Sequence, residues 1–221
     1  MNKIKLATAT AIVIMVTVAL GCIPSSADAE GSDLIPVDLN QTYLDTIGVE
    51  SSGRYTLSGG YAYTLIDDLN LGSNFLYFAG NGSLDLAGNS ITSKSNYAMI
   101  VAKLNNEGQF TVTDSDNGGT VSGTTAGVNV TSELTISGGT FSGRYGAFIS
   151  ESGGDLTING GTLKGSDYGI YQNAGSCTVI DGTILGTTSG IQCTIINEFK
   201  GDKYVPPYLE VNGGTITGAT G

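Results

Sequence analysis

Histidine and tryptophan are absent from this 221-residue chain, and charge is scarce: Asp, Glu, Lys and Arg together make up only 13% of it. Without His, and with only three Cys, a structural zinc cage is not an expected feature. Basic residues number 9 against 20 acidic ones, a formal net charge of −11. That balance disfavours DNA, RNA and anionic lipid as partners, and also polyanionic sugars unless a cation bridges them. Low charge combined with 40% apolar residues argues against disorder. The longest apolar run, Ala11 to Leu20, is too short for a comfortable membrane span, and no second membrane segment follows it.

That run belongs to a leader. Lys3 and Lys5 precede it, and Ala27-Asp28-Ala29 fits the small-x-small cleavage rule, so residues 1–29 read as a secretion signal and the mature chain as beginning at Glu30. Ala19-Leu20-Gly21-Cys22 offers a competing reading as a lipobox with a lipid anchor at Cys22, although Leu20 is larger than that position usually takes. Cleavage after residue 29 removes Lys3, Lys5 and Asp28 and leaves 7 basic and 19 acidic residues, a net charge of −12. The expected location is extracellular or at the cell surface.

What the chain has in abundance is glycine, 34 of them, and much of it recurs in one phrase. Leu134-Thr135-Ile136-Ser137-Gly138-Gly139-Thr140 returns as Leu156-Thr157-Ile158-Asn159-Gly160-Gly161-Thr162, drifts in Cys177-Thr178-Val179-Ile180-Asp181-Gly182-Thr183, and returns as Leu209-Glu210-Val211-Asn212-Gly213-Gly214-Thr215. The closing threonines are 22, 21 and 32 residues apart. So short a period with β-rich content predicts a solenoid, because one such unit cannot bury its apolar face alone. Three strands fit in each turn: Thr140-Phe141-Ser142 and its equivalents, then Ala147-Phe148-Ile149 and its equivalents after a Gly, then the Leu-Thr-Ile strand.

Alternation along these strands sorts the side chains. Ile91, Val121, Phe141, Leu163, Ile184 and Ile216 form one inward column; Leu134, Leu156, Cys177 and Leu209 form a second, with Ile136, Ile158, Val179 and Val211 beside it. Cys177 and Cys193 fall at inward positions, where Cys packs as a small apolar residue, although an oxidising compartment also permits a disulfide. The fold class is therefore all-β, a single-stranded parallel β-helix with about 20–22 residues per turn, over residues 54–221. Residues 30–53 are expected to cap its open end, with a short helical turn near Leu39 to Thr46. Insertions fall at Asn105-Asn106-Glu107, at Asp114 to Asn117 and at Asn197 to Pro207. The stop at Gly221, in mid-turn, is read as a truncation or as an edge covered by a partner.

Three stretches carry a family resemblance: Tyr63-Thr64-Leu65-Ile66-Asp67-Asp68-Leu69; Leu84-Asp85-Leu86-Ala87-Gly88-Asn89-Ser90-Ile91-Thr92; and Phe110 to Ser115 running into Gly118-Gly119-Thr120-Val121-Ser122-Gly123. With the repeats they cover roughly residues 55 to 221, and they resemble pectin-lyase-like right-handed parallel β-helices, in particular adhesin-like secreted surface proteins. The resemblance implies a right-handed coil; it implies little about activity, because many functions share this fold.

The enzymatic relatives are polysaccharide lyases and glycoside hydrolases. The hydrolases need two carboxylates across the scissile bond, and consecutive Asp67 and Asp68 on a strand would point to opposite faces. The lyases hold Ca²⁺ with Asp clusters beside an Arg or Lys base, and Arg54 and Arg144 are the two arginines present. Asp114-Ser115-Asp116-Asn117-Gly118 lacks the spacing of a calcium loop and reads as a turn. No catalytic residue, metal or cofactor is expected. The outward Thr column Thr111, Thr135, Thr157, Thr178 could order water, but ladders of Thr also simply stabilise sheets. The outward column of the second strand is more specific: Ile100, Asn129, Phe148, Tyr171, Gln192, with Tyr145 and Tyr168 at the preceding corner. Phe148, Tyr171, Tyr145 and Tyr168 are the candidate ligand-binding residues, expected as an exposed strip for polysaccharide or a surface protein. The function expected is a non-enzymatic, adhesin-like surface module; the alternative is a polysaccharide lyase or glycoside hydrolase, or a scaffold fragment of one.

Overall fold

The structure, a computed structural model, describes residues 34–104, 108–150, 152–194 and 206–219, together with the backbone of 199–200 and 203–204. The expected leader over 1–29, Cys22 and the Asn105-Asn106-Glu107 insertion lie outside the described residues. The fold is a parallel β-solenoid of about seven turns.

The turns stack into three ladders. The third face is an eight-stranded parallel sheet made of Ile35–Leu39, Tyr61–Leu65, Gly82–Asp85, Gln109–Thr113, Glu133–Ile136, Asp155–Ile158, Ser176–Val179 and Tyr208–Val211. The first and second faces are joined into one twelve-stranded sheet, because Thr140–Ile149 and Thr162–Gln172 run unbroken around the corner between them. Ser90–Thr92, Thr120–Ser122, Thr183–Gly186 and Thr215–Thr217 belong to the first face; Phe75–Ala79, Tyr97–Ala102, Ala126–Val130 and Ser189–Cys193 belong to the second.

The predicted inward columns are present in register. Val121 pairs with Ile91 and Phe141, Phe141 with Leu163, Leu163 with Ile184 and Ile184 with Ile216. Leu134, Leu156, Cys177 and Leu209 pair in sequence, as do Ile136, Ile158, Val179 and Val211. Ile91 through Ile184 are fully buried, whereas Leu209, Val211 and Ile216 are 39%, 48% and 40% exposed. Each fully buried aliphatic chain stabilises the fold by about 1.5–3 kcal/mol. At the other end the core is aromatic: Tyr43, Tyr63, Phe78 and Phe110 form a chain of rings with centroids 6.3, 5.7 and 4.6 Å apart. Tyr63 is buried, and its hydroxyl donates to the Ser58 carbonyl at 3.0 Å.

The Gly-Gly pairs divide their labour. The second glycine of each pair is left-handed, with φ of 78° at Gly139, 79° at Gly161, 109° at Gly182 and 82° at Gly214. The drifted copy keeps its glycine at that position and has Asp181 at the other, where the backbone does not demand one. The next Thr amide then bonds to the glycine carbonyl one turn below, as in Thr162 to Gly139 at 2.9 Å.

The ladder starts earlier than residue 54. Ile35–Leu39 pairs with Tyr61–Leu65, inside the stretch expected as a cap. Helix Gln41–Ile47 follows, in the chain position that a first-face strand holds in later turns. Asn40 caps it by accepting the Tyr43 amide at 2.8 Å, Gly48 ends it at φ 71°, and Leu44 is its buried anchor. Among the described residues no helix is long and apolar enough to cross a membrane. Within the 194–207 excursion, Phe199–Lys200 and Lys203–Tyr204 pair antiparallel.

Candidate functional site

The candidate residues sit where the first face turns into the second. Two glycines bracket this corner in both turns that carry the candidates: Gly143-Arg144-Tyr145-Gly146, then Gly165-Ser166-Asp167-Tyr168-Gly169. A Cβ at Gly127 would stand 2.7 Å from the Val121 carbonyl, and one at Gly146 would stand 2.6 Å from the Lys164 amide. Only glycine allows so tight a fold of one face onto the other. The second corner is one residue longer, so register shifts between Gly143 and Tyr145 and recovers with Tyr145 opposite Tyr168.

The register then brings the four rings together. Tyr145 pairs with Tyr168 and Phe148 with Tyr171, as the repeat predicts. The outward column is intact, running Ile100, Asn129, Phe148, Tyr171, Gln192. Ring centroids lie 4.8 Å apart for Tyr145–Tyr171, 5.6 Å for Tyr168–Tyr171, and 5.8 Å for both Phe148–Tyr171 and Tyr145–Tyr168, all within 18° of parallel. A fifth ring joins them. Tyr97 stacks on Phe148 at 5.9 Å and 9°. Sequence reasoning missed Tyr97, although Tyr97–Ile100 has the same three-residue spacing as Tyr145–Phe148 and Tyr168–Tyr171.

The strip is less open than expected. Phe148, Tyr168 and Tyr171 are half-buried, but Tyr145 is only 8% exposed. The cause is the stack itself: Tyr145 touches Phe148, Tyr168 and Tyr171, and the Arg144 guanidinium lies 5.4 Å from its ring centre. Parallel rings stacked along the coil cover one another's faces and turn edges and phenol groups outward. Burial raises the Tyr145 phenol above its ordinary range, and burial followed by the neighbouring Tyr145 does the same for Tyr97. Arg144 Nε meets Asp167 Oδ2 at 2.6 Å across adjacent turns. Thr194 Oγ1 donates to the Tyr171 hydroxyl at 3.1 Å, tying the strip to the start of the 194–207 excursion.

Asp67, Asp68, Asp85 and Asp114 lie away from the strip. Asp67 and Asp68 lie in the bend between Leu65 and Leu69 rather than on a strand, and Asp68 Oδ1 accepts the Ser90 amide at 2.7 Å. Asp85 Oδ1 accepts the amides of Ala87 and Ser115 at 3.1 and 2.9 Å. Asp114 accepts Gly88 on one oxygen and Gly119 on the other, both at 2.8 Å. These carboxylates clamp the corner between the third and first faces, one turn to the next. Arg144 belongs to a different corner. Among the described residues no three His, Cys, Asp or Glu side chains gather into a cation cluster.

The Thr column is also in register, from Thr111 through Thr135 and Thr157 to Thr178, preceded by Ser83 and followed by Glu210. Beside it, Gln109 donates to Glu133 at 3.0 Å and Ser176 to Asp155 at 2.6 Å. Cys177 is buried and Cys193 partly so; both are free thiols, and Cys193 donates to Gln172 Oε1 at 3.3 Å. No family matches this chain, and neither a curated protein nor a solved structure does.

Proposed function

We propose that this chain is an extracellular, adhesin-like module of the pectin-lyase-like β-helix class, which binds glycans at the cell surface without transforming them. The aromatic strip of Tyr97, Tyr145, Phe148, Tyr168 and Tyr171 carries this reading. Five rings gathered on one outward flank, with phenol groups and the Arg144–Asp167 pair at the margin, combine apolar edges with hydrogen-bonding groups as a sugar requires. The acidic side chains support a non-catalytic role. Asp68, Asp85 and Asp114 are occupied by backbone amides, and Arg144 lies at another corner, paired with Asp167. A groove for glycoside chemistry needs two carboxylates facing one bond. The reading of residues 1–29 as a secretion signal, from Lys3, Lys5 and Ala27-Asp28-Ala29, supports export.

A glycan array probed with the wild-type protein and with the double variant Phe148→Ala, Tyr171→Ala tests the reading. Binding by the wild type that disappears in the folded variant supports it. An array without signal for the wild type overturns it.

A further inference from the structure

One turn of the strip has no ring. Between the turn of Tyr97 and that of Tyr145 and Phe148, the equivalent positions are Ala126 and Asn129: Tyr97 pairs with Ala126, Ala126 with Tyr145, and Asn129 with Phe148. Val128 and Val130 are fully buried in the core, so Asn129 between them faces outward by strand alternation. Yet Asn129 is only 8% exposed and Ala126 not at all. Asn129 stands between Ile100 and Phe148 in the outward column, and Ala126 between Tyr97 and Tyr145. The rings of Tyr97 and Phe148 each start one turn away from the gap and meet 5.9 Å apart and 9° from parallel, so that they roof the ringless turn. Beneath that roof the Asn129 amide oxygen is buried without a hydrogen-bond partner. A buried acceptor left without a donor is costly, and native folds seldom keep one.

The geometry points to this ringless turn as the sugar subsite of the strip: a neutral pyranose enters between Tyr97 and Phe148 and gives a hydroxyl or acetamido hydrogen to Asn129 Oδ1. The inference rests on the glycan-binding reading above and names the ligand class and its anchor. Ring-to-carbon contacts of about 3.5–4.0 Å on both faces set the two rings roughly 7–8 Å apart, so entry requires them to part by about 1–2 Å. Parting frees one ring face on each side for the C–H edges of the sugar, faces that the closed stack hides. Neutral rather than uronic sugars fit, because Arg144, the cation at the strip, is already paired with Asp167 and the chain carries a net charge of −11.

The test titrates three trisaccharides, tri-N-acetylchitotriose, cellotriose and trigalacturonate, into the ¹⁵N-labelled full-length protein, its variant Asn129→Leu, and the double variant Phe148→Ala, Tyr171→Ala. The expected result is binding of a neutral trisaccharide but not of trigalacturonate. The Asn129 side-chain amide signal should shift on binding, and Asn129→Leu, similar in size, should lose roughly tenfold in affinity while unfolding as cooperatively as the wild type. If sugar binds the wild type and the double variant abolishes it, but the Asn129 amide signal does not move, the subsite is overturned and the strip stands. That readout needs no variant, so it decides even if Asn129→Leu fails to fold. Preference for trigalacturonate overturns the neutral-sugar assignment. Wild-type protein that binds none of the three overturns the subsite, while the glycan array decides the broader reading separately.

Discussion

Tyr145 and Tyr171 are not register partners, yet theirs is the closest ring pair of the strip, with centroids 4.8 Å apart. The contact is diagonal: Tyr145 leans from the corner onto the ring of the next turn. A flank tied across its turns in this way contributes to stability. Tyr145→Ala removes a nearly buried ring and is expected to cost about 2–4 kcal/mol. Tyr145→Phe, which keeps the stack, should cost under about 1.5 kcal/mol. Urea unfolding followed by circular dichroism checks both, with an unchanged m-value as the sign that the transition is the same one.

The two glycines of a repeat should respond differently to alanine. Gly161 has φ 79°, and a Cβ there would stand 2.7 Å from the Gly139 carbonyl. Gly160 has ordinary backbone, and its Cβ would come no closer than 3.0 Å to the Ser137 carbonyl. Gly161→Ala is expected to lower stability by at least about 2 kcal/mol, and Gly160→Ala by clearly less. Thermal melts of the pair decide; equal losses would contradict the division of labour.

Acid should loosen the corner between the third and first faces. Burial by itself would raise the Asp85 carboxyl, but hydrogen bonds from Ser115, Ala87 and Thr113 outweigh it and hold the group below its ordinary value. A carboxyl depressed in the folded state binds fewer protons there than in the unfolded chain. Its contribution is therefore complete above about pH 4 and is lost as pH falls through the lowered folded value. Unfolding free energy measured from pH 6 down to pH 2 should drop in that window, and Asp85→Asn should flatten the drop.

The two described cysteines should differ in reactivity. Burial, with a smaller contribution from the nearby Cys193, pushes the Cys177 thiol up to about 12. Cys193 is raised by burial as well but is partly exposed. At pH 8 a thiol reagent should label Cys193 slowly and Cys177 only on unfolding, as peptide mass mapping would show. Labelling of Cys177 in the native protein at the Cys193 rate would contradict its core position.

The core was legible because solenoid packing repeats the same choice at the same spacing. Val121, Phe141, Leu163 and Ile184 are successive apolar solutions to one slot, and their register followed from the Gly-Gly-Thr phrase alone. Tyr97 was hidden because the insertions between it and Thr120 break the period, so its alignment with Tyr145 shows only once strand pairing is known. The burial of Tyr145 was hidden for another reason. A sequence column gives the strand position of a side chain but not its tilt, and a diagonal lean decides which rings cover which. The first ladder strand, Ile35–Leu39, went unread because it carries none of the repeat's glycines. Its role comes from pairing with Tyr61–Leu65.

The long excursion after Thr194 shows what this architecture can absorb. Between Thr194 and Tyr208 stands a small antiparallel pair, and the ladder resumes with Tyr208 opposite Ser176 and Leu209 opposite Cys177, in the register a short loop would have produced. Each turn reads only its neighbours, so the ladder keeps no record of how far the chain has wandered. The corner between the second and third faces is thus a natural cassette position. New peptide segments of different lengths can be written there, by evolution or by a protein engineer, while the strands before and after keep their register.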